Sequence, residues 1–256
     1  MRRSLRSAAL AGALAVAVPA LAYFLPTAVV LKRLAQRREE LALASLEVRG
    51  TLSASGEAST QVAASAGLTP SGPELLVPAV LSIKAPGRCR LELFPPSATG
   101  ERAYVATGHG RVVGGRGLER VPAAVAMLKA TCALLGVRAG GPDPGRAYAD
   151  ELSRVGVSLT EEYLGQMGGR VSYVLGAQPQ EKRPQAWIDK QSFQPVRLVA
   201  MLAGPLVDVR FLDFGSPVGG DAFPRAVEVR DQAGLALRLT AEKLAANPRI
   251  ADALFP

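Results

Sequence analysis

The 256-residue sequence predicts a mainly β protein of the α+β class, with about 10–11 short antiparallel strands and a few helices. Most apolar stretches alternate with polar residues at period two, which is typical of strands with one buried face. The chain contains 26 glycines and 19 prolines, which suits the many turns between such strands. Short antiparallel strands with few helices favour a single sandwich or barrel domain over a parallel sheet.

The clearest strands lie in the stretch 186–214, which contains three strands and two turns. The first turn is 190–194, and Pro195 then fixes the backbone at the start of the second strand. The second turn is the Ala-Gly-Pro sequence at 203–205. In the third strand Asp208 and Arg210 face one side, and three apolar residues face the other. These residues are Val207, Val209 and Phe211.

Residues 1–22 have the anatomy of a secretory signal peptide. Three arginines precede an apolar core from Ala8 to Val18, and the Ala20-Leu21-Ala22 sequence is typical of a cleavage site. An alternative stays open, because apolar residues continue to position 31 and the run 8–31 is long enough to anchor the chain in a membrane. On either interpretation the following residues, 23–256, form one exported domain.

The first half of the domain combines one helix with several strands. Apolar residues at helical spacing from Val30 to Ala44 predict a helix before the first strand, which begins near Leu46. The segment Ser53–Gly72 is rich in small residues and has no period, so it is predicted to be a mobile loop or an irregular hairpin tip. Further strands are predicted at 77–84, 88–94, 102–107 and 111–113.

A helical insertion then interrupts the strands. From Val121 to Leu135, apolar residues recur at intervals of four and three, and Pro122 suits a first helical turn. The pattern predicts a helix over 122–135, ended by Gly136, and a weaker helix over 144–154. The remaining strands are predicted at 157–163, 171–175, 186–189, 195–202, 206–214, 223–230 and 234–241.

The two cysteines, Cys89 and Cys132, both lie on apolar faces. An even number of cysteines in an exported protein favours a disulfide. Two buried thiols remain the alternative, since a cysteine packs like a small hydrophobic residue. The chain has no Cys-x-x-Cys sequence, which argues against redox catalysis and against a metal site.

The charge pattern does not indicate nucleic-acid binding. The formal net charge is +8, which by itself would suit an anionic partner. The charged residues mostly alternate with apolar residues along the predicted strands, and no block of Lys and Arg is long. This distribution is typical of a solvated outer face of a sheet.

No group of residues suggests catalysis. His109 is the only histidine, and its position between two glycines predicts an exposed turn residue whose replacement leaves function intact. Ser172 and Ser192 have no histidine beside them, and the glycine-rich run at 108–117 lacks the spacing of a phosphate-binding loop. The sequence therefore predicts a protein that is not an enzyme and has no metal or cofactor.

Several short motifs, taken in order, resemble the periplasmic lipoprotein-carrier superfamily, the LolA/LolB-like outer-membrane lipoprotein-sorting proteins. They are Tyr-Val-Leu-Gly at 173–176, Trp-Ile-Asp at 187–189, Pro-Val-Arg at 195–197, Val-Arg-Phe-Leu-Asp-Phe at 209–214 and Ala-Asn-Pro at 246–248. The resemblance covers roughly residues 23–255 and implies an incomplete antiparallel β-barrel around an apolar cavity. It also implies that helices, here at about 119–154, cover the open side.

The resemblance implies a periplasmic protein that binds lipids or lipoprotein acyl chains, in lipoprotein sorting or in lipid transfer through the cell envelope. The implied partners are sorting components of the inner and outer membranes. A membrane-anchored sensor or interaction domain with the same fold is the alternative function. The candidate cavity residues are Val207, Val209, Phe211, Val227, Val229, Leu235, Leu237 and Leu239.

We expect the exported chain to begin at Tyr23, because cleavage after the Ala20-Leu21-Ala22 sequence would remove the apolar core. The intact mass of the protein recovered from the periplasm checks this expectation. A membrane-bound species that still carries Met1 or Arg2 would instead support the anchor.

Overall fold

The computed structural model describes residues 24–70, 72–96, 100–136 and 143–256. These residues form one sheet of twelve antiparallel strands with four α-helices. The helices are α1 (Thr27–Glu40), α2 (Gly56–Ala66), α3 (Pro122–Leu135) and α4 (Arg146–Arg154). The strands of the first half are β1 (Ser45–Ser55), β2 (Glu74–Lys84), β3 (Arg88–Leu93), β4 (Tyr104–Gly108) and β5 (Arg111–Gly115). The strands of the second half are β6 (Glu162–Met167), β7 (Arg170–Leu175), β8 (Gln185–Asp189), β9 (Pro195–Ala200), β10 (Val207–Leu212), β11 (Ala226–Asp231) and β12 (Gly234–Ala246).

The sheet is open, and its order is β5-β4-β3-β2-β1-β12-β11-β10-β9-β8-β7-β6. Each hairpin adds a strand on the outside, while β1 and β12 pair in the middle. The two edge strands, β5 and β6, are neighbours in the chain, and α3 and α4 lie between them in sequence. The predicted class, an incomplete antiparallel barrel with covering helices, is confirmed.

The sheet curves around α3. In a flat sheet β4 and β10, six strand spacings apart, would be separated by about 29 Å. A helix with its side chains is only about 10–12 Å wide, yet α3 contacts both strands as well as β3, β11 and β12. The sheet therefore wraps around the helix, which occupies its concave side.

The long β1–β12 ladder contains a bulge that only glycine fits. The register shifts between Arg49 and Gly50. A Cβ atom at Gly50 would lie 1.9 Å from the carbonyl oxygen of Thr240 on the neighbouring strand. Two backbones approach each other closely here, as is usual where a glycine marks a β-bulge.

Two predicted segments are wrong. The stretch 53–72 is not a loop, because β1 continues to Ser55 and α2 follows at once. The apolar face of α2 consists mainly of alanines around Val62, which bury too little surface to produce a strong helical signal. The strand expected at 157–163 begins only at Glu162, because Ser158 and Thr160 bond to each other in a local turn.

Other predictions agree closely with the structure. The helix predicted at 122–135 has those bounds, and the block 186–214 contains strands β8, β9 and β10. The formation of α3 follows from its apolar composition and from Pro122 in its first turn. The remaining strands differ from their predicted bounds by a few residues, as is usual at element ends.

The beginning of the folded domain overlaps the apolar run 8–31. Helix α1 starts at Thr27, whose backbone nitrogen and hydroxyl both donate to Glu162 Oε2, at 2.5 and 2.6 Å. Val30 and Leu31 are buried. Residues 27–31 therefore belong to the domain, whereas the predicted signal peptide, its cleavage site and most of the alternative anchor lie outside the described residues. Within the described part, no helix is long and apolar enough to span a membrane.

We expect Gly50→Ala to lower the free energy of unfolding by about 3 kcal/mol, because the new methyl group would collide with backbone rather than with a flexible side chain. Urea denaturation measures the effect. Gly72→Ala is the matched control, since a Cβ atom there meets nothing within 4 Å. Similar unfolding energies for the two variants would contradict this account of the bulge.

Candidate functional site

The inward positions of β10, β11 and β12 form two rows of apolar side chains. Val209 pairs with Val229, which pairs with Leu237, and Phe211 pairs with Val227, which pairs with Leu239. All six side chains are at most 1% exposed. The cross-strand register thus brings together six of the eight candidate cavity residues in one layer.

The other two candidates lie elsewhere. Val207 pairs with Ala200 on β9 and is 7% exposed at the border of the layer. Leu235 pairs with Arg230, because the register of β11 and β12 shifts after Val229. This bulge places Leu235 with the outward side chains, where it is only half-buried. The alternation along β12 that suggested an inward Leu235 is therefore broken by the pairing.

Helix α3 covers the apolar layer. It contacts β10, β11 and β12 on one side and β3 and β4 on the other. Twelve of its fourteen residues are buried. A helix that is apolar on all sides can pack inside the curve of the sheet without leaving a polar face unsatisfied. In this conformation the candidate residues are part of one continuous hydrophobic core.

The last turn of α3 is attached to the first half of the sheet. A disulfide joins Cys132 to Cys89 on β3, with their Cα atoms 5.8 Å apart. Gly87, in the β2–β3 turn, donates its N–H to the carbonyl oxygen of Gly136 at 2.9 Å. These contacts hold one end of the helix to β2 and β3.

On the opposite side, α3 is attached to the second half of the sheet by a single printed side-chain hydrogen bond from Lys129. Its Nζ donates to the carbonyl oxygen of Leu202, in the β9–β10 turn, at 2.7 Å. A hydrogen bond of this kind stabilises far less than a covalent bond. The attachment of α3 is therefore strong on the β3 side and weak on the β9–β10 side.

A buried arginine connects α3 to two further parts of the fold. Arg38, on α1, donates to the carbonyl oxygen of Leu135 at 3.2 Å and to that of Ala222 at 2.9 Å. Burial lowers the pKa of Arg38, and Tyr148 opposes that effect. Burial raises the pKa of Tyr148 to about 12, against the influence of the Arg38 cation. Carbonyl and phenol oxygens thus solvate this charge in place of water.

A cleft of about 630 Å³ opens beside α3, between the two halves of the sheet. Its walls come from the β2–β3 and β4–β5 turns, from α3 and α4, and from the β9–β10 turn. The β9–β10 turn lies at the opposite strand end from the other two turns. These ends meet because each strand is rotated by about 20–25° from its neighbour and the rotations accumulate across the sheet.

The cleft has a mixed lining. Its apolar part includes Leu202 and Met201, which is 65% exposed, an unusual state for a large apolar side chain. Its polar part includes His109, Lys129 and Arg154, whose guanidinium pairs with Glu151 at 2.5 Å. The volume lies within the range of about 300–1,000 Å³ typical of ligand sites.

The sequence analysis missed this cleft. His109 is indeed exposed at a hairpin tip, with φ of +50°, but the tip lines the cleft. Met201 was assigned only to the end of a strand. Both residues occupy turns, and no pattern along the chain could indicate that these two turns lie near each other.

The described residues contain no group of three or more His, Cys, Asp or Glu side chains that could hold a metal ion. The polar groups of the cleft are an ion pair, a lysine bound to a carbonyl and an exposed histidine. This arrangement can bind a polar or charged group, and the apolar surface beside it can bind a hydrocarbon.

No protein-family model and no curated protein matches the chain. The chain is similar to a solved LolA superfamily protein from Nitrosomonas europaea, with 13% identity over 91% of this chain and 98% of that chain, and a TM-score of 0.49. For an outer membrane lipoprotein-sorting protein domain from Vibrio parahaemolyticus the values are 12%, 87%, 94% and 0.40. For a DUF1329 family protein from Desulfovibrio piger they are 11%, 91%, 98% and 0.37.

The superfamily of the first of these structures is the one that the sequence motifs resemble. At 11–13% identity and with TM-scores below 0.5, these similarities assign neither a ligand nor a partner to the chain. The functional argument therefore rests on the geometry of this molecule.

We expect replacement of both cysteines by alanine, Cys89→Ala with Cys132→Ala, to lower the free energy of unfolding. Their sequence separation is 43 residues, and the chain-entropy estimate for such a loop is about 4 kcal/mol. Urea denaturation with and without reductant measures the difference. Two reactive thiols in the denatured, non-reduced protein, or an unchanged stability after reduction, would contradict the expectation.

Proposed function

We propose that this protein binds lipid acyl chains between the concave face of its sheet and α3. The proposal places the lipid-binding domain at residues 23–256 and a signal peptide at residues 1–22, so that the protein acts in the periplasm. Its role is to carry lipoprotein acyl chains or other envelope lipids between membranes, with sorting components of those membranes as partners. It is a binding protein and not an enzyme.

The observation that carries the proposal is the layer of inward side chains under a single helix. The six residues that pair across β10–β12 are all apolar and contribute no hydrogen bond that would select a polar ligand. The helix above them is fixed by a disulfide on one side and by a Lys129 hydrogen bond on the other. A rotation of α3 about its disulfide-bound end would expose the layer without breaking the sheet.

The energy of acyl-chain burial is large enough to support such an exchange. Each buried methylene contributes about 0.8 kcal/mol, so a 16-carbon chain contributes on the order of 10 kcal/mol before costs. The chain would replace apolar contacts of α3 with its own, and the net affinity is the difference between the two. This difference suits a carrier, which must release its cargo.

The cleft gives the acyl chain an entrance. It reaches the surface beside the weakly attached edge of α3, and Met201 exposes apolar surface at this point. Lys129 and Arg154 lie at the same opening and suit the anionic part of a lipid head group. An amphiphile could therefore place its chain towards α3 and its head group at the opening.

We expect Met201→Asp to weaken the binding of a fluorescent fatty acid by at least about tenfold, because a carboxylate at the entrance opposes entry of hydrocarbon. The side chain is exposed, so the free energy of unfolding should change little. The measurement is a binding titration by fluorescence. Mass spectrometry of an organic extract from the purified protein should also detect lipid.

The matched control is Leu76→Asp, which introduces the same charge at another exposed apolar residue, 61% exposed and outside the cleft. This variant should bind the fatty acid as the unaltered protein does. Equal losses in both variants would indicate a nonspecific effect of charge. Absence of binding by the unaltered protein, together with an extract without lipid, would refute the proposed function.

A further inference from the structure

A second pocket, separate from the cleft, lies at the end of β10. It has a volume of about 320 Å³. Its walls are the β6–β7 turn, the β8–β9 turn and the segment that follows β10, and we call it the turn pocket. It shares no lining residue with the cleft beside α3.

Two buried polar atoms in the wall of the turn pocket have no hydrogen-bond partner among the described residues. They are Ser172 Oγ and Gln194 Oε1, and each residue is only 1% exposed. A buried polar group without a partner costs about 1–3 kcal/mol, so proteins rarely keep one without a reason. Two such atoms in one pocket indicate that the partner comes from outside the chain.

The orientation of the Gln194 side chain is set by its surroundings. Its Nε2 donates to the carbonyl oxygen of Asp221 at 3.1 Å. The reverse orientation would place two oxygens against each other, and neither could donate. The atom in the pocket wall is therefore the amide oxygen, which only accepts hydrogen bonds, so its partner must be a donor.

The charged groups of the turn pocket are one cation and two carboxylates. Asp189 is 1% exposed, accepts hydrogen bonds from the backbone of Gln191 and Ser192, and pairs with Arg170 at 3.0 Å. Asp213 also lines the pocket and is exposed, so it remains accessible to a bound group. With Asp189 balanced by Arg170, the second carboxylate leaves a negative charge at the pocket.

We propose that the turn pocket binds a primary ammonium group. An ammonium carries three N–H donors and one positive charge. Gln194 Oε1, Ser172 Oγ and the Asp213 carboxylate supply three acceptors, one of them charged. Met167, Val196 and Phe211 provide apolar surface for the carbon atoms attached to the nitrogen. Both a free amine and the ethanolamine head group of a lipid have this chemistry.

The first experiment is a calorimetric titration of the full protein with ethanolamine and with choline. The two probes carry the same charge, but the quaternary nitrogen of choline has no N–H donor. We expect ethanolamine to bind and choline to bind at least about tenfold more weakly, because choline leaves Gln194 Oε1 unpaired. Vesicles of phosphatidylcholine, with and without phosphatidylethanolamine, then distinguish a lipid head group from a free amine.

The second experiment uses Ser172→Ala. The hydroxyl has no partner in the protein, so its removal should leave the free energy of unfolding unchanged or higher. The affinity for the ammonium probe, measured with ethanolamine or with the vesicles, should fall about tenfold. Ser82→Ala, which alters another buried serine on β2, is the matched control and should change neither quantity.

Three results would overturn the proposal. The first is equal affinity for ethanolamine and choline together with equal retention on the two kinds of vesicle. The second is absence of binding to ethanolamine and to both kinds of vesicle. The third is an unchanged probe affinity in Ser172→Ala; if that variant is also less stable, a buried water is the partner of the hydroxyl. None of these results depends on acyl-chain binding at α3.

Discussion

The pairing of β1 with β12 is the constraint on which the rest of the fold depends. Leu46 lies opposite Ala246, and the ladder continues to Ala54 opposite Leu237. Contacts between such distant parts of the chain carry a large loop-closure entropy, which the many hydrogen bonds of two long strands must offset. Asn247 extends this pairing, since its side-chain oxygen accepts a hydrogen bond from the backbone of Ala44 at 2.7 Å.

This central pairing explains why the middle of the sequence lies at the open side of the sheet. The strands add outward from β1 and β12, so the last strand of each half, β5 and β6, is an edge. The chain between these edges contains α3 and α4, which must cross the concave side. The covering helix is thus a consequence of strand order, and its apolar surface is a consequence of where it has to pack.

The outward faces explain the basic composition of the chain. Asp208 pairs with Arg197 at 2.7 Å and with Arg210 at 2.8 Å, and Glu228 pairs with Arg230 and Arg238. Partly exposed pairs like these contribute at most about 1 kcal/mol each, so they select the register more than they stabilise the fold. The arginines serve the sheet itself, in agreement with the prediction of a solvated outer face.

The sequence by itself determined the features that depend on local periodicity. The apolar stripe from Val121 to Leu135 defines α3, and alternation defines β10 with Val209 and Phe211 inward. Period and turn chemistry are properties of neighbouring residues, so they can be read without a structure. Helix α2 is the exception, because its alanines and serines form a helix chiefly through packing on β1, β2 and β12.

Only the tertiary structure decided which residues meet. The bulge after Val229 turns Leu235 outward, and it depends on how two strands pair and not on either strand alone. Met201 and His109 share a cleft because the twist of the sheet brings opposite strand ends together. Ser172 and Gln194 become unpaired neighbours in one pocket for a similar reason. A site assembled from separate turns leaves no period in the sequence, since its residues become neighbours only when the sheet is complete.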